Sequence, residues 1–313
     1  MLTFIARRVV SGVVLIAAIS VIAFLLLYAG GGDIARRLLG NEASAVAVAQ
    51  KTQELGLDRS VAAQFFDWAS RAVTGDFGAS WFTSQPVTEA ITSRISVTLS
   101  LVLGATLLIA IVSVVLSVLA ATRGGWIDRV VQGVSLTGAA IPSFLVALAL
   151  VLVFAINLQW FQPTGYVQAT TSVSGWLASV TLPVIALALG GIDAVTQQVR
   201  GSMLDALSRD YVRTLRSRGI PTGRVVYRHV LRNSAGPALA VLGVQFVGLL
   251  GGAVIIEQMF AIPGIGQVAV TATSQGDIPL VMGLVVVTAM LVIVLNLVVD
   301  LLQGWLNPKV RLS

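Results

Sequence analysis

Six long apolar stretches, separated by segments that carry almost all of the charge, set the pattern of this chain: residues 9–29, 97–121, 130–156, 177–199, 238–257 and 280–302. Each meets the ~20 residues a helix needs to cross a bilayer, so each predicts an α-helical span. The alternation is sharp. No charged residue falls between Arg129 and Asp193, or between Arg232 and Glu257, and the central thirds of the spans carry none. The fourth stretch holds Pro183 and Gly190-Gly191, tolerated in membrane helices where neighbours satisfy the freed backbone groups. Asp193, Glu257 and Asp300 fall toward span ends, and Glu257 is expected as a polar residue at the external rim. Between the first two spans, Leu55, Leu57, Phe65, Phe66, Trp68 and Val73 give short helical patterns that stop at Gly75-Asp76-Phe77-Gly78. They predict amphipathic helices across the outer mouth or a loop resting on lipid headgroups.

The loops then sort by charge. The N-terminus, 122–129, 200–237 and the C-terminal tail hold fourteen of the twenty basic residues; 30–96, 157–176 and 258–279 hold six. Cytoplasmic loops carry surplus Lys and Arg, which places the first set and both termini in the cytoplasm. Arg7 and Arg8 are orientation charges ahead of a retained first span, which is longer than the core of a cleaved signal. Trp160 and Trp176 flank the short external loop, and Trp126 and Trp305 lie at cytoplasmic ends.

Composition agrees: 56% of the residues are apolar and 11% charged, the balance of a multispanning membrane protein. The net charge of +6 is accounted for by the loops and implies no nucleic acid. The absence of cysteine removes disulfides and thiolate sites, and a single histidine removes a His-cluster metal centre. A P-loop needs Gly-Lys-Ser/Thr, yet the two lysines, Lys51 and Lys309, follow Gln50 and Pro308. No catalytic triad, paired carboxylates or metalloprotease motif occurs. The expectation is no enzyme, no metal and no cofactor in this chain, with energy supplied from elsewhere.

The 200–232 segment carries eight arginines, two aspartates and the histidine. Leu204, Leu207, Tyr211 and Leu215 fall at spacings of 3, 4 and 4 and predict one apolar helical face. Arg209, Arg213 and Arg216 repeat on another. Gly219 suits the left-handed residue that closes a helix, and Pro221 opposes continuation. A second short helix is expected from about Thr222, stacking Arg224, Arg228 and Arg232 at i+4. Like charges at that spacing repel by a few tenths of a kcal/mol, so an acidic partner or a lipid surface is implied. Fixing topology and binding anionic lipid explains the charge. Docking into another protein's groove also explains the glycine break and the apolar stripe.

The residues then become specific. Asp210-Tyr-Val-Arg-Thr-Leu-Arg-Ser-Arg-Gly219, with Arg228-His-Val-Leu-Arg-Asn233 and Pro237, resembles the EAA-type loop of ABC-transporter permeases. The resemblance is closest to the dipeptide/oligopeptide/nickel family, in the subunit usually encoded first of the permease pair. It runs through Ala6-Arg7-Arg8, Leu55-Gly-Leu-Asp58, Gly75-Asp-Phe-Gly78, Gln85-Pro-Val87, Asp128-Arg129, Ile141-Pro-Ser-Phe144 and Pro163-Thr-Gly-Tyr166. It continues through Glu257-Gln-Met-Phe260, Pro263-Gly-Ile-Gly266, Asn296-Leu-Val-Val-Asp300 and Asn307-Pro-Lys-Val-Arg311. Two departures stand out. Arg213-Thr214-Leu215 occupy the Glu-Ala-Ala positions, and Ala29-Gly-Gly-Gly-Asp33 replaces the usual Ala-Pro-Gly-Asp-Pro.

The resemblance implies an all-α membrane protein with six transmembrane helices in the type I ABC importer (MetI-like) permease fold. Residues 1–96 would form the first span plus an extracytoplasmic segment, and 97–313 a five-helix core with the coupling loop at 200–237. It implies the prokaryotic inner membrane, a homologous second permease, two cytoplasmic ATPases that bind ATP and Mg²⁺, and an extracytoplasmic substrate-binding protein. Asp210, Tyr211, Arg213, Thr214, Leu215, Arg218, Gly219, Arg224, Arg228 and His229 would form the ATPase-coupling loop. Ser135, Thr137, Ser143, Asp193, Gln245 and Gln258 are candidates to line the path. The implied cargo is peptides, with nickel complexes, glutathione, haem or oligosaccharides as alternatives. A secondary carrier or a lipid-binding scaffold remains open from another class.

Overall fold

The computed structural model describes residues 2–30 and 34–306; Asp33 and the Asn307–Arg311 motif lie outside the described residues. The fold is helical, and the described residues contain no strand beyond an isolated antiparallel bridge between Ala79 and Pro86. Five helices are long and apolar enough to cross a membrane: 7–29 within α1 (Leu2–Gly30), α5 (Val87–Arg123), α8 (Val173–Ser208), the continuous helical run Thr222–Met259, and 278–305 within α13 (Ile278–Leu306).

The third apolar stretch, expected as one span over 130–156, is instead a bent pair. Helix α6 (Gly125–Ala140) and helix α7 (Ser143–Leu150), the latter extended by a π-helical turn Val151–Asn157, meet at 95°. Pro142 is the cause. It has no N–H to donate and pushes the preceding residue out of the helical region, and Ile141 is extended at φ −89°, ψ 121°. Counting the pair as one span gives six.

The chain forms two compact units, residues 1–96 with 263–294, and 97–262 with 295–313. In the first, short helices α2 (Ile34–Leu39), α3 (Ala45–Glu54) and α4 (Val61–Ala72) follow α1. Ser44 and Ser60 cap α3 and α4 by accepting the amides of Ala47 and Ala63, the usual remedy for orphan N–H groups at a helix start. Gly75 and Gly78, at φ +87° and +82°, then turn the chain, in agreement with the predicted break. Trp68 is buried with Phe24, Ile34, Ile278 and Met282, while Phe66 and Val73 remain exposed. Helix α12 (Ile265–Gln275) was not predicted; its Ile265 and Ala272 pack with Val87, Ile91 and Leu284. Asp277 caps α13: its carboxylate accepts from Ser80 Oγ at 2.5 Å and from the backbone N–H groups of Trp81 and Leu280.

In the second unit α8 packs against α6, α7 and α11 (Leu231–Met259), and a seam of hydrogen bonds joins it to α5. Ser113 Oγ donates to the Ile192 carbonyl at 3.0 Å and Ser117 Oγ to that of Thr196 at 2.9 Å, all inside the protein. The seam is narrow because small residues line it. A Cβ added at Gly191 would lie 2.6 Å from Ile109 Cδ1, and one at Gly104 would lie 2.9 Å from Val184 Cγ2. Membrane helices associate in this way, through close backbone approach and hydroxyl hydrogen bonds rather than hydrophobic exclusion.

Candidate functional site

Helix α8 does not stop with the apolar stretch at 199; it runs unbroken to Ser208. Arg209, extended at φ −75°, ψ 148°, then redirects the chain into helix α9 (Asp210–Ser217). This break corrects the expectation of a single apolar face over 204–215. Leu204 and Leu207 lie on α8, Tyr211 and Leu215 on α9. What holds α9 is Val212, 1% exposed, together with a hydrogen bond from Asn233 Nδ2 to Tyr211 Oη at 3.1 Å. Leu215 is half-buried, and Asp210, Arg213, Thr214, Arg216 and Arg218 are exposed.

Gly219 closes α9 as its type predicts. Its φ of +76° lies in the left-handed region that costs other residues a steric penalty, and its N–H bonds to the Arg216 carbonyl at 2.9 Å. The amide of Ile220 reaches the Leu215 carbonyl at 3.2 Å, so carbonyls at the helix end are satisfied.

Beyond Pro221, helix α10 (Thr222–Arg224) leads through a π-helical turn, Val225–Val230, into helix α11 (Leu231–Met259) without interruption. The expected second short helix is therefore the first part of a long one. Val225, Val226 and Val230 are buried, which anchors this part; Arg224 and Arg228 are exposed and His229 half-buried. Pro237 lies inside α11. The predicted loop residues thus divide into an outward group on α9 with Gly219, and a second group, Arg224, Arg228 and His229, past the turn.

The candidate path residues are less gathered. Gln245 Oε1 comes within 3.5 Å of where a Cβ would stand on Gly191, so its α11 position faces the seam region of α8. Asp193, half-buried, accepts from Gln197 Nε2 at 3.3 Å on its own helix. On α6, Ser135 is buried with its hydroxyl lacking a partner, and exposed Thr137 donates to the Gly133 carbonyl. Ser143 opens α7, and Gln258 is exposed near the end of α11.

Glu257, near the end of α11, is enclosed by protein: it is 0% exposed, and Thr98 Oγ1, 1% exposed, donates to its carboxylate at 2.5 Å. A second link escaped sequence reasoning. Asp128, in the first turn of α6, receives Arg200 of α8 in a two-pronged contact, Nε to Oδ1 at 2.5 Å and Nη2 to Oδ2 at 2.6 Å. No spacing rule pairs residues 72 apart.

Among the described residues no three His, Cys, Asp or Glu side chains group to hold a metal. The fold and site thus define a class, a multi-pass helical membrane protein that presents an arginine-rich helix between two long spans. The chain belongs to the family described as "Binding-protein-dependent transport system inner membrane component", matched over residues 113–312, and its first 102 residues match that family's N-terminal companion. Similar proteins cover the full length. The probable peptide ABC transporter permease protein y4tP of Sinorhizobium fredii is 36% identical over 98% of this chain and 99% of its own. The oligopeptide transport system permease protein AppB of Bacillus subtilis is 33% identical over 99% of this chain and 100% of its own. The glutathione transport system permease protein GsiC of Salmonella typhi is 32% identical over 99% of each. The protein is therefore a multi-pass inner-membrane permease subunit of an ABC importer. Such subunits are not enzymes, and they work with the other subunits of a binding-protein-dependent system.

Proposed function

We propose that this permease passes di- and oligopeptides, and that α9 is the helix through which ATP-hydrolysing partners drive it. The observation that carries the reading is the exposed Arg213 and Arg216 on a helix fixed from behind by Val212 and Tyr211, with exposed Arg218 just past its end, in a chain with no P-loop. A helix anchored on one side and charged on the other is built to sit in an acidic groove of another subunit. Placing α9 in the cytoplasm follows the surplus of basic residues in its loop. The same rule puts both termini there.

The partners in this reading are a homologous second permease, two ATPases that bind ATP and Mg²⁺, and an extracytoplasmic binding protein that delivers the cargo. Ser135, Thr137, Ser143, Asp193, Gln245 and Gln258 line the route. They carry one charge among six, which suits a cargo that crosses as a chain of dipoles rather than as a bare ion. The relatives y4tP and AppB are named for peptide and oligopeptide transport and GsiC for glutathione, itself a tripeptide, so the three names describe one chemical class.

The test is reconstitution of the whole transporter with its loaded binding protein. Reversing Arg213 and Arg218 to Glu should abolish uptake that depends on ATP hydrolysis in assembled complexes. Intact uptake would remove α9 from the coupling role. Mass spectrometry of the ligand retained by the purified binding protein decides the cargo, and a ligand without peptide bonds would refute the peptide assignment.

A further inference from the structure

We propose that the Asp128–Arg200 pair is a strut that carries displacement of α9 into the bent α6–α7 pair; this rests on α9 being the coupling helix. Three observations converge on it. Helix α8 is continuous from Val173 to Ser208, so Arg200 and Ser208, the last residue before Arg209 turns the chain into α9, ride on one rod. At 1.5 Å per residue, the eight-residue separation is about 12 Å. A push on α9 therefore reaches Arg200 with little slack.

The contact across to α6 is a fork. Two parallel hydrogen bonds, at 2.5 and 2.6 Å, fix orientation as well as distance, which one bond or an ammonium group does not. Gln132 Nε2 holds the same carboxylate at 3.1 Å from the next turn of α6, so the acceptor is itself braced. Both side chains are 19% exposed. By contrast, the Lys51–Glu54 and Arg59–Asp67 pairs join near neighbours in the chain, and Glu54, Arg59 and Asp67 are largely exposed.

Helix α6 ends at the Ile141–Pro142 break, where the chain turns by 95° into α7. Asp128 sits at the opposite end of α6, in its first turn, where a carboxylate also meets the positive end of the helix dipole. Force delivered at Asp128 thus acts on α6 over its full length, with the elbow as pivot. Ion pairs of this exposure add little to stability, because desolvation offsets attraction. What this one supplies is a fixed geometry between two helices that lie far apart in sequence. Asp128 and Arg200 are positioning residues, acting through α6 and α8 rather than on cargo.

The readout is cargo imported per ATP hydrolysed by the complete transporter in proteoliposomes. The probe is radiolabelled glutathione or tri-alanine, whichever the binding protein retains. Asp128→Asn and Arg200→Lys should each lower the ratio several-fold, the second because an ammonium cannot form the fork. The exchange of Asp128→Arg with Arg200→Asp should recover it in part, since an arginine in the first turn of α6 opposes the dipole. Arg213→Glu is measured alongside. If Arg213→Glu lowers the ratio and the single variants at 128 and 200 do not, the strut is wrong and the coupling helix stands. If Arg213→Glu also leaves it unchanged, both readings fall. Loss of assembled complex at an unchanged ratio, or singles that fall without recovery in the exchange, would equally overturn the strut.

Discussion

Thr98 Oγ1 donates a 2.5 Å hydrogen bond to the Glu257 carboxylate, and neither side chain is open to solvent. A buried carboxyl needs donors because its desolvation is otherwise uncompensated. Thr98→Val keeps the shape and removes one hydroxyl donor. We expect a loss of about 1–3 kcal/mol, read as a lower melting temperature of the detergent-solubilised protein, with Ser at 98 restoring most of it. A Val variant that melts like wild type would show the hydroxyl to be dispensable.

Asp277 gathers Ser80 Oγ and the amides of Trp81 and Leu280 at the start of α13. Asp277→Ala removes a helix cap and leaves those donors without their acceptor, for about 0.5–2 kcal/mol from the cap alone. Hydrogen exchange should quicken across 78–86 before it does in α4. Uniform quickening throughout the first unit would contradict this.

Gly283 stands against Val87. A Cβ there would approach Val87 Cγ1 to 2.4 Å, and Val87 is fully buried with a stiff branched side chain. Gly283→Ala should destabilise by about 1–3 kcal/mol. Gly248, with nothing within 4 Å, is the matched control. There Ala should be neutral or mildly stabilising, as in an ordinary helix interior. Equal melting temperatures for the two variants would refute the argument.

Gly219→Ala isolates backbone conformation, since no atom lies within 4 Å of the added methyl. The strain of a left-handed non-glycine residue is about 1–2 kcal/mol. It falls on the turn that ends α9, so uptake should drop while the amount of assembled complex does not. Asn, which tolerates the left-handed region, should be milder than Ala. If Ala and Asn behave alike, the turn does not depend on φ at this position.

Local signals in the sequence located elements well. The apolar run lengths placed the spans, and Gly75, Gly78 and Gly219 marked turns because a positive φ is a property of one residue. Ile141-Pro142 was visible as a motif, but its 95° consequence was not. A proline in a membrane stretch either kinks or is absorbed, and Pro183 inside α8 shows the second outcome. The burial of Glu257 was not legible for a different reason. Distance from the end of an apolar run says how deep a residue lies, not whether a neighbouring helix covers it. The Thr98 hydroxyl that does so is 159 residues away. The Arg200–Asp128 fork escaped for the same cause; the break at Arg209, which divides the leucine stripe between two helices, has no proline or glycine to mark it.

Ser113 and Ser117 bond to carbonyls that already belong to the helix ladder of α8. Parted, each hydroxyl would turn back onto a carbonyl of its own helix, as Thr137 does toward Gly133, so each bond holds the seam by only about 1 kcal/mol. The two serines stand one turn apart on α5 and their acceptors one turn apart on α8, so sliding one helix along the other breaks both bonds at once: together they set the register of the seam.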